Sequence, residues 1–136
     1  MQLSGTRDDP TVTRDGNRLP SPIAGVEIER LVIHGDHRGQ LVAALDTRRP
    51  FWREPVVYAY EFTIRPGRIK GWAMHEHQTD RYFVASADVR VVLYDGRTDA
   101  PSHGAIDVVS FSRATPGLVR IPPGVWHADQ NWGTTE

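Results

Sequence analysis

The C-terminal part of the chain reads GLVRIPPGVWHADQN between Gly117 and Asn131. Two runs rich in apolar residues flank the Pro-Pro-Gly at 122–124, and this composition predicts two strands joined by a tight turn. Proline fixes φ in such a turn, and glycine adopts the positive φ that the next step commonly needs. His127 therefore lies early on the second strand with a fixed side-chain direction. The pattern fits a ligand site at the mouth of a barrel, and it also fits a buried histidine beside a structural turn.

Runs farther upstream show a strand-like pattern as well. From Val56 to Ile64 the even positions are large and apolar, whereas the odd positions include Glu61 and Thr63. Residues 89–94 repeat this alternation. A period of two predicts half-buried strands, and no stretch fits an amphipathic helix of three turns. Many short strands with turn residues between them predict an all-β sandwich or barrel with little helix.

Length, charge and composition exclude several classes of protein. The chain has 136 residues, about the length of one domain. Its 16 basic and 17 acidic residues leave no positive excess for nucleic acid or anionic membranes. The absence of cysteine excludes disulfide scaffolds and thiol nucleophiles. No apolar run is long enough to span a membrane, so a soluble, cytoplasmic protein is expected. Residues 1–25 are predicted as an N-terminal arm, flexible or wrapped around a partner subunit, and residues 26–136 as one domain.

A second group of polar residues lies between Gly67 and Arg81. It contains His75 and His77, which share one face if this stretch is a strand. A His-x-His pair on one face can bind a metal ion. It can also place an acid–base group in a pocket, because histidine titrates near neutral pH. Two histidines on a solvated surface give the same spacing, so three interpretations stay open at this point.

Together, the two segments resemble the two sequence motifs of the cupin superfamily. Residues 117–131 match the second motif, in which Pro-x-Gly is followed by histidine and asparagine. In the first motif, counted from Gly67, the two histidines fall on Ala73 and His75 and the acidic residue on Asp80. The first histidine is therefore missing. The resemblance implies a cupin jelly-roll barrel, the double-stranded β-helix.

Most of the chain after Val26 resembles a narrower group, the dTDP-4-dehydrorhamnose 3,5-epimerases. The matching pieces are Asp36–Gln40, Pro66–Trp72, Val91–Arg97 and Ile121–His127. The resemblance implies an epimerase or isomerase that abstracts a proton from a small ketone-containing substrate, a nucleotide sugar or a secondary metabolite. It implies no metal ion or other cofactor, and the balanced charge predicts no nucleic-acid or membrane partner. It also implies a homodimer in which N-terminal strands pair across subunits.

The chain departs from this group at the catalytic base. The group's Arg-Gly-Leu-His is matched by Lys70–Ala73, and alanine cannot accept a proton. The resemblance places the group's catalytic tyrosine beyond Glu136. A standard 3,5-epimerase is therefore not expected. The related dTDP-sugar 3,4-ketoisomerases carry two histidines in this stretch, and His75 aligns with the second of them. His75 is accordingly predicted to replace the missing base.

The predicted site lies in the mouth of the barrel. The residues predicted to act in catalysis are His75, His127 and Tyr60. Those predicted to contact the substrate are Arg38, Trp72, His77, Gln78 and Arg120. Arg38 is the candidate contact for a diphosphate or carboxylate, because a guanidinium can donate two parallel hydrogen bonds to such a group.

Two alternative functions stay open. A metal-binding cupin, acting as an oxygenase or hydrolase, would use His75, Asp80 and His127 as ligands. Two histidines with one carboxylate suit the divalent ions of iron, manganese or zinc. A cupin that has lost the base without replacing it would be a non-catalytic sugar-binding protein. A bound metal ion would separate the first alternative from the second.

Overall fold

A computed structural model describes residues 4–6 and 8–136. The strands of this part of the chain are β1 (Glu27–Arg30), β2 (His34–Asp36), β3 (Gly39–Leu41), β4 (Ile69–Ala73), β5 (Asp80–Val84), β6 (Val89–Asp95), β7 (Ile106–Phe111), β8 (Gly117–Ile121) and β9 (Val125–Asn131). A single 3-10 turn, Pro50–Trp52, is the one helical element of the described residues. The predicted all-β fold with little helix is confirmed. None of the described residues belongs to a helix with the length and hydropathy needed to cross a membrane.

Two antiparallel sheets enclose the core. The larger sheet has the strand order β4-β9-β6-β7 and the smaller one β1-β8-β5, while β2 and β3 form a separate hairpin. Successive side chains of a strand point to opposite faces, so alternate residues of β6 to β9 supply the core. The core contains Ile23, Val26, Val91, Leu93, Val109, Phe111, Val119, Ile121 and Val125. This is the jelly-roll architecture that the cupin resemblance implies.

The predicted strand, turn and strand near the C-terminus are present as β8, residues 122–124 and β9. Gly124 has a φ of +81°, in the left-handed region that glycine adopts without strain. Every residue of β8 is buried, and on β9 the same is true of His127 and Asp129. β9 lies between β4 and β6. The position of His127 is therefore fixed from both sides.

Residues 56–64, predicted as a half-buried strand, form no strand in the described chain. Tyr58 and Tyr60 on their apolar side are 77% and 70% exposed. Hydrogen bonds nevertheless fix both ends of the segment. The Arg81 guanidinium donates to the carbonyl oxygens of residues 54 and 55, and the Asn131 side-chain amide donates to that of residue 64. The strand prediction is wrong for the single chain, because no strand of either sheet pairs with residues 56–64.

The predicted N-terminal arm lies partly outside the described residues, at positions 1–3 and 7. Of the described part, Ile23 is 1% exposed and belongs to the core. The Arg18 guanidinium lies 2.5 Å from the buried carboxylate of Asp107 on β7. Residues 18–25 thus contact the domain, and a boundary at residue 26 stays a prediction.

Candidate active site

His127 is the most deeply buried member of a cluster of polar side chains. It lies on β9 opposite Leu93 of β6 and Ala73 of β4, and it is 3% exposed. Its Nδ1 lies 3.3 Å from the carbonyl oxygen of Val125. Burial lowers the pKa of His127 below its usual value, so the imidazole is neutral at pH 7. Nδ1 faces the Val125 carbonyl oxygen and Nε2 faces the Asp80 carboxylate, so each ring nitrogen has an acceptor beside it.

His75 approaches the cluster from a loop. His75 and His77 would share one face if β4 continued to His77, but β4 ends at Ala73 and β5 begins at Asp80. The condition is not met, so the alternation of a strand does not relate the two histidines. The backbone N–H of Gly124 donates to the His75 carbonyl oxygen at 2.8 Å. The Pro-Pro-Gly turn therefore anchors the loop beside His127.

Asp80 connects the two histidines. Its Oδ2 lies 3.1 Å from Nε2 of His75 and 3.5 Å from Nε2 of His127. Its Oδ1 accepts a hydrogen bond from Gln78 Nε2 at 3.0 Å. Gln78, predicted as a substrate contact, thus helps to orient the Asp80 carboxylate. The side chain of His75 is 41% exposed and that of His127 is 4% exposed, so the cluster opens to solvent on the His75 side.

A second polar pair lies next to the cluster. The Tyr82 hydroxyl donates to Asp129 Oδ2 at 3.3 Å, and the Tyr82 ring meets that of His127 edge-on. Burial raises the pKa of Asp129 to about 6, and burial together with the Asp129 charge raises that of Tyr82. Asp129 was not among the predicted site residues. Its position two residues after His127 on one strand was the available signal, because such residues share a face.

The resemblance to the epimerases implies that Ala73 stands at the position of their base. It lies directly opposite His127, so its side chain is on the same face as the cluster. Gly71, two residues earlier, permits this close pairing. A Cβ at Gly71 would lie 2.8 Å from Ala128 Cα and 2.9 Å from the His127 carbonyl oxygen. Only glycine lets β4 run this close to β9.

Two residues predicted to line the site do not reach the cluster. The Arg120 guanidinium donates instead to the Glu54 carboxylate and to the Gly25 carbonyl oxygen. Arg120 alternates with core residues of β8, so it points to the opposite side of that strand. Tyr60 lies on the exposed segment, and its ring approaches Phe62, which in turn meets the ring of Tyr82.

Trp72 and Arg38, also predicted as substrate contacts, lie apart from His75, Asp80 and His127. Trp72 is 56% exposed and lines a shallow cavity of about 270 Å³ with Tyr94 and Trp126, on the outer face of the larger sheet. Arg38 extends from the β2–β3 hairpin and forms an ion pair with Asp36. Of the predicted site, the structure therefore brings together the trio of His75, Asp80 and His127, with Gln78 beside Asp80.

The His77 side chain is 93% exposed. It points to solvent and lies 3.8 Å from the Glu76 carboxylate. His77 therefore makes no contact with the trio, although it is only two residues from His75.

The trio offers two kinds of chemistry. A histidine beside a carboxylate can act as a general base, because the carboxylate orients the imidazole and stabilises the imidazolium that forms. The same residues could hold a divalent metal ion, since one ligand atom from each lies within 4.8 Å of the others. His75 is the member of the trio most open to a molecule approaching from solvent.

Comparisons with known proteins give relatives in sugar metabolism, although no protein-family model matches the chain. A probable low-salt glycan biosynthesis epimerase of Haloferax volcanii is 32% identical over 110 residues, which is 77% of this chain and 68% of the relative. A spore coat polysaccharide biosynthesis protein of Bacillus subtilis is 35% identical over 113 residues, which is 83% of this chain and 74% of the relative.

The fold agrees with these relatives. The crystal structure of a dTDP sugar isomerase from Desulfovibrio desulfuricans superposes with a TM-score of 0.72 at 27% identity, covering 86% of this chain and 74% of that one. Sequence identity above 30% over more than two thirds of both relatives shows common descent, and the shared jelly roll supports it. The chain therefore belongs to the cupin family of dTDP-sugar epimerases and isomerases.

Proposed function

We propose that this protein is a nucleotide-sugar isomerase or epimerase that uses His75 as its general base. The observation that carries the proposal is the 3.1 Å contact between His75 Nε2 and Asp80 Oδ2 at the solvent-facing side of the trio. A base must lie within hydrogen-bond reach of the proton that it abstracts, and His75 is the exposed member of the trio. The family relatives are named for epimerisation, isomerisation and polysaccharide biosynthesis.

The reaction begins with proton abstraction next to a ketone. His75 takes a proton from the carbon beside the carbonyl group through Nδ1, because Nε2 faces Asp80; that C–H bond breaks, and the ketone becomes an enolate. Asp80 stabilises the imidazolium, because its carboxylate accepts the N–H of Nε2. Return of a proton to the same carbon from the other face gives an epimer. Return of the proton to the former carbonyl carbon, with the α-hydroxyl losing its proton and the former ketone oxygen gaining one, gives an isomer. Arg38 is proposed to contact the diphosphate of the substrate.

Ala73 sets this protein apart from a 3,5-epimerase within the same family. Its methyl group leaves space beside His127 at the position that the family's base occupies by resemblance. A base displaced by two residues meets a different carbon of the sugar or a different substituent. We therefore propose a substrate or product other than those of the 3,5-epimerase.

We propose further that the active form is a homodimer. Residues 56–64 alternate between large apolar and smaller residues, as a strand does, yet Val57 and Tyr58 are 92% and 77% exposed. A strand edge of a second copy would pair with this segment and cover its side chains. Light scattering on the purified protein should give twice the mass of the chain. A monomer at micromolar concentration would contradict the dimer.

The function is tested by proton exchange with solvent. The purified protein is incubated in D₂O with dTDP-4-dehydro-6-deoxyglucose, and deuterium in the sugar is measured by mass spectrometry and located by NMR. Incorporation next to the ketone is expected, because proton abstraction exposes that position to exchange. Saturable binding of this nucleotide sugar with no exchange would contradict the proposal and favour the non-catalytic sugar-binding alternative.

A further inference from the structure

We propose that Asp129 and Tyr82 form a second binding subsite inside the barrel, which holds one ring hydroxyl group of the sugar and thereby selects the substrate. The inference rests on the proposed function, because it takes a nucleotide sugar as the ligand. Asp129 accepts a hydrogen bond from the sugar hydroxyl group, and Tyr82 is the positioning residue that orients the carboxylate. Neither residue removes the substrate proton, which is the role of His75.

Asp129 and Tyr82 come from the two opposing sheets. Asp129 lies on β9 two residues after His127, so both side chains are on the inner face of the larger sheet. Tyr82 lies on β5 of the smaller sheet and packs against the core. Its ring centre is 5.9 Å from that of His127, and the His75 ring centre is 5.7 Å from that of His127. One imidazole therefore separates the Tyr82–Asp129 pair from the proposed base, and a sugar ring lying over this imidazole would reach both.

The Asp129 carboxylate has one oxygen without a partner. Oδ2 accepts a hydrogen bond from the Tyr82 hydroxyl group at 3.3 Å. Oδ1 is buried and receives no hydrogen bond from any of the described residues. A buried carboxylate oxygen without a donor is unfavourable, because burial removes its hydration and nothing replaces it. Asp129 is 3% exposed, so the missing donor points to a ligand.

The side chain best placed to supply this donor from within the chain points elsewhere. Lys70 lies directly opposite Asp129 on β4. Its ammonium group lies over the Phe62 ring, 4.6 Å from the ring centre, and leaves Oδ1 of Asp129 without a donor. Phe62 also meets the Tyr82 ring edge-on, with 5.9 Å between the ring centres. Because Phe62 belongs to residues 56–64, which pair with neither sheet, its ring can move aside when a sugar enters.

The chemistry of the pair indicates the group that it binds. An ionised carboxylate only accepts hydrogen bonds, and it repels phosphate, so Oδ1 suits a neutral donor such as a sugar hydroxyl group. The ring of dTDP-4-dehydro-6-deoxyglucose carries free hydroxyl groups at C2 and C3, and one of these is the expected ligand.

A subsite of this kind determines specificity. A site that bonds a substrate hydroxyl group rejects the analogue without it, because the buried polar group of the protein is then left unpaired. The hydrogen bond from Tyr82 occupies Oδ2 and turns Oδ1 toward the ligand. Sugars with a hydroxyl group at the matching ring position should therefore be preferred.

Binding is measured by calorimetry at pH 8 with dTDP-glucose, which has no ketone for the proposed reaction. The matched ligands carry fluorine in place of the hydroxyl group at C2 or at C3, because fluorine cannot donate a hydrogen bond. One of the two analogues should bind at least about tenfold more weakly than dTDP-glucose. Equal affinity for all three ligands would overturn the subsite.

The preference for the hydroxyl group should depend on Asp129. Asp129→Leu removes the acceptor, so dTDP-glucose and the sensitive analogue should bind within about twofold of each other. Asp129→Asn keeps a hydrogen-bonding group and should keep most of the preference. His77→Gln is the control, because this exposed histidine makes no contact with the pair and should leave the preference unchanged. A full preference in Asp129→Leu would overturn the subsite.

Tyr82→Phe tests the positioning role. Loss of its hydroxyl group frees the Asp129 carboxylate to rotate, so the preference should fall at least about threefold. Circular dichroism checks the fold of each variant, and Tyr82→Phe decides the matter if Asp129→Leu does not fold. An unchanged preference in Tyr82→Phe would remove Tyr82 from the subsite.

Failure of the subsite and failure of the proposed function give different results. Proton exchange in D₂O tests the base, whereas the affinity for dTDP-glucose and its analogues tests the subsite. Exchange together with equal affinities would overturn the subsite alone. A preference for the hydroxyl group without exchange would support the subsite and contradict the base. Absent binding of dTDP-glucose would contradict both the subsite and a nucleotide sugar as the ligand.

Discussion

The two histidines of the candidate site are held in opposite ways. His127 lies on β9 in the middle of a sheet and is 3% exposed. His75 lies in the loop between β4 and β5, and its side chain is 41% exposed. One half of the site therefore belongs to the folded core, and the other half is a reactive group attached to the core through a loop. This difference separates the residues that determine stability from those that determine chemistry.

The same contrast extends along the strands. Residues of β8 are buried throughout, whereas four of the five residues of β4 are exposed. Substitutions of buried residues in β6, β8 and β9 should therefore lower the stability of the fold, so that any loss of activity follows from unfolding. Substitutions in the β4–β5 loop should change activity with little cost in stability.

The largest loss of stability is expected inside the rigid half. Leu93 lies opposite His127 and is fully buried, so Leu93→Ala should lower the free energy of unfolding by about 2–5 kcal/mol. Ile69 on β4 is 64% exposed and is the matched control, because Ile69→Ala removes little buried area. Urea denaturation measures both. Equal losses of unfolding free energy in Leu93→Ala and Ile69→Ala would contradict the difference between the buried strands and β4.

A smaller effect of opposite sign is expected at Asp129. Burial raises its pKa to about 6 in the folded protein, above the ordinary value of 3.8. Folding therefore opposes ionisation, and the folded state loses stability as the pH rises from about 4 to about 6. Above that range the cost is about 3 kcal/mol at most, from about 1.4 kcal/mol per pH unit.

Asp129→Asn removes this cost and keeps an acceptor for the Tyr82 hydroxyl. The variant should be more stable than the parent protein by about 1–3 kcal/mol at pH 8 and equal to it near pH 4. Thermal or urea unfolding at the two pH values measures the difference. A difference that does not change with pH would show that Asp129 is not held in its neutral form by burial.

The smallest effect on folding is expected at the exposed hairpin. Arg38 pairs with Asp36, and Arg48 pairs with Asp46 in the same Asp-x-Arg pattern. Both arginines are exposed, so Arg38→Ala and Arg48→Ala should leave the melting temperature unchanged. Only Arg38→Ala should raise KM for a nucleotide sugar, by about tenfold, if Arg38 contacts the diphosphate. Equal KM values in the two variants would remove Arg38 from the site.

The fold could be predicted from the sequence because the patterns that specify its strands are local. Alternating apolar residues and the Pro-Pro-Gly turn specify β8 and β9 without reference to distant parts of the chain. Residues 56–64 show the limit of this reasoning. Their alternation predicts a strand, but a strand also needs a neighbouring edge, and the described sheets give it none. Strand pairing depends on which other strands lie beside the segment in the folded protein, and a local pattern does not specify them.

The candidate site could be predicted only in part. His75, Asp80 and His127 were identified from motif spacing, and the structure brings them together. Arg120 was placed inside the barrel, but its side chain pairs with Glu54 on the other side of β8. The packing of the two sheets decides which face of β8 points into the barrel, and a local sequence pattern does not show this packing. The role of Asp129 depends on burial, which its residue type argues against.

Exchange in D₂O by His75→Ala, compared with His77→Ala, tests the central claim most directly. Both histidines lie in the same loop, but only His75 contacts Asp80, while the His77 side chain is 93% exposed. His75→Ala should lower the rate of deuterium incorporation next to the ketone by ~10²–10⁴, and His77→Ala should lower it less than about twofold. Full exchange by His75→Ala, together with loss of exchange in His77→Ala, would contradict the assignment of His75 as the base.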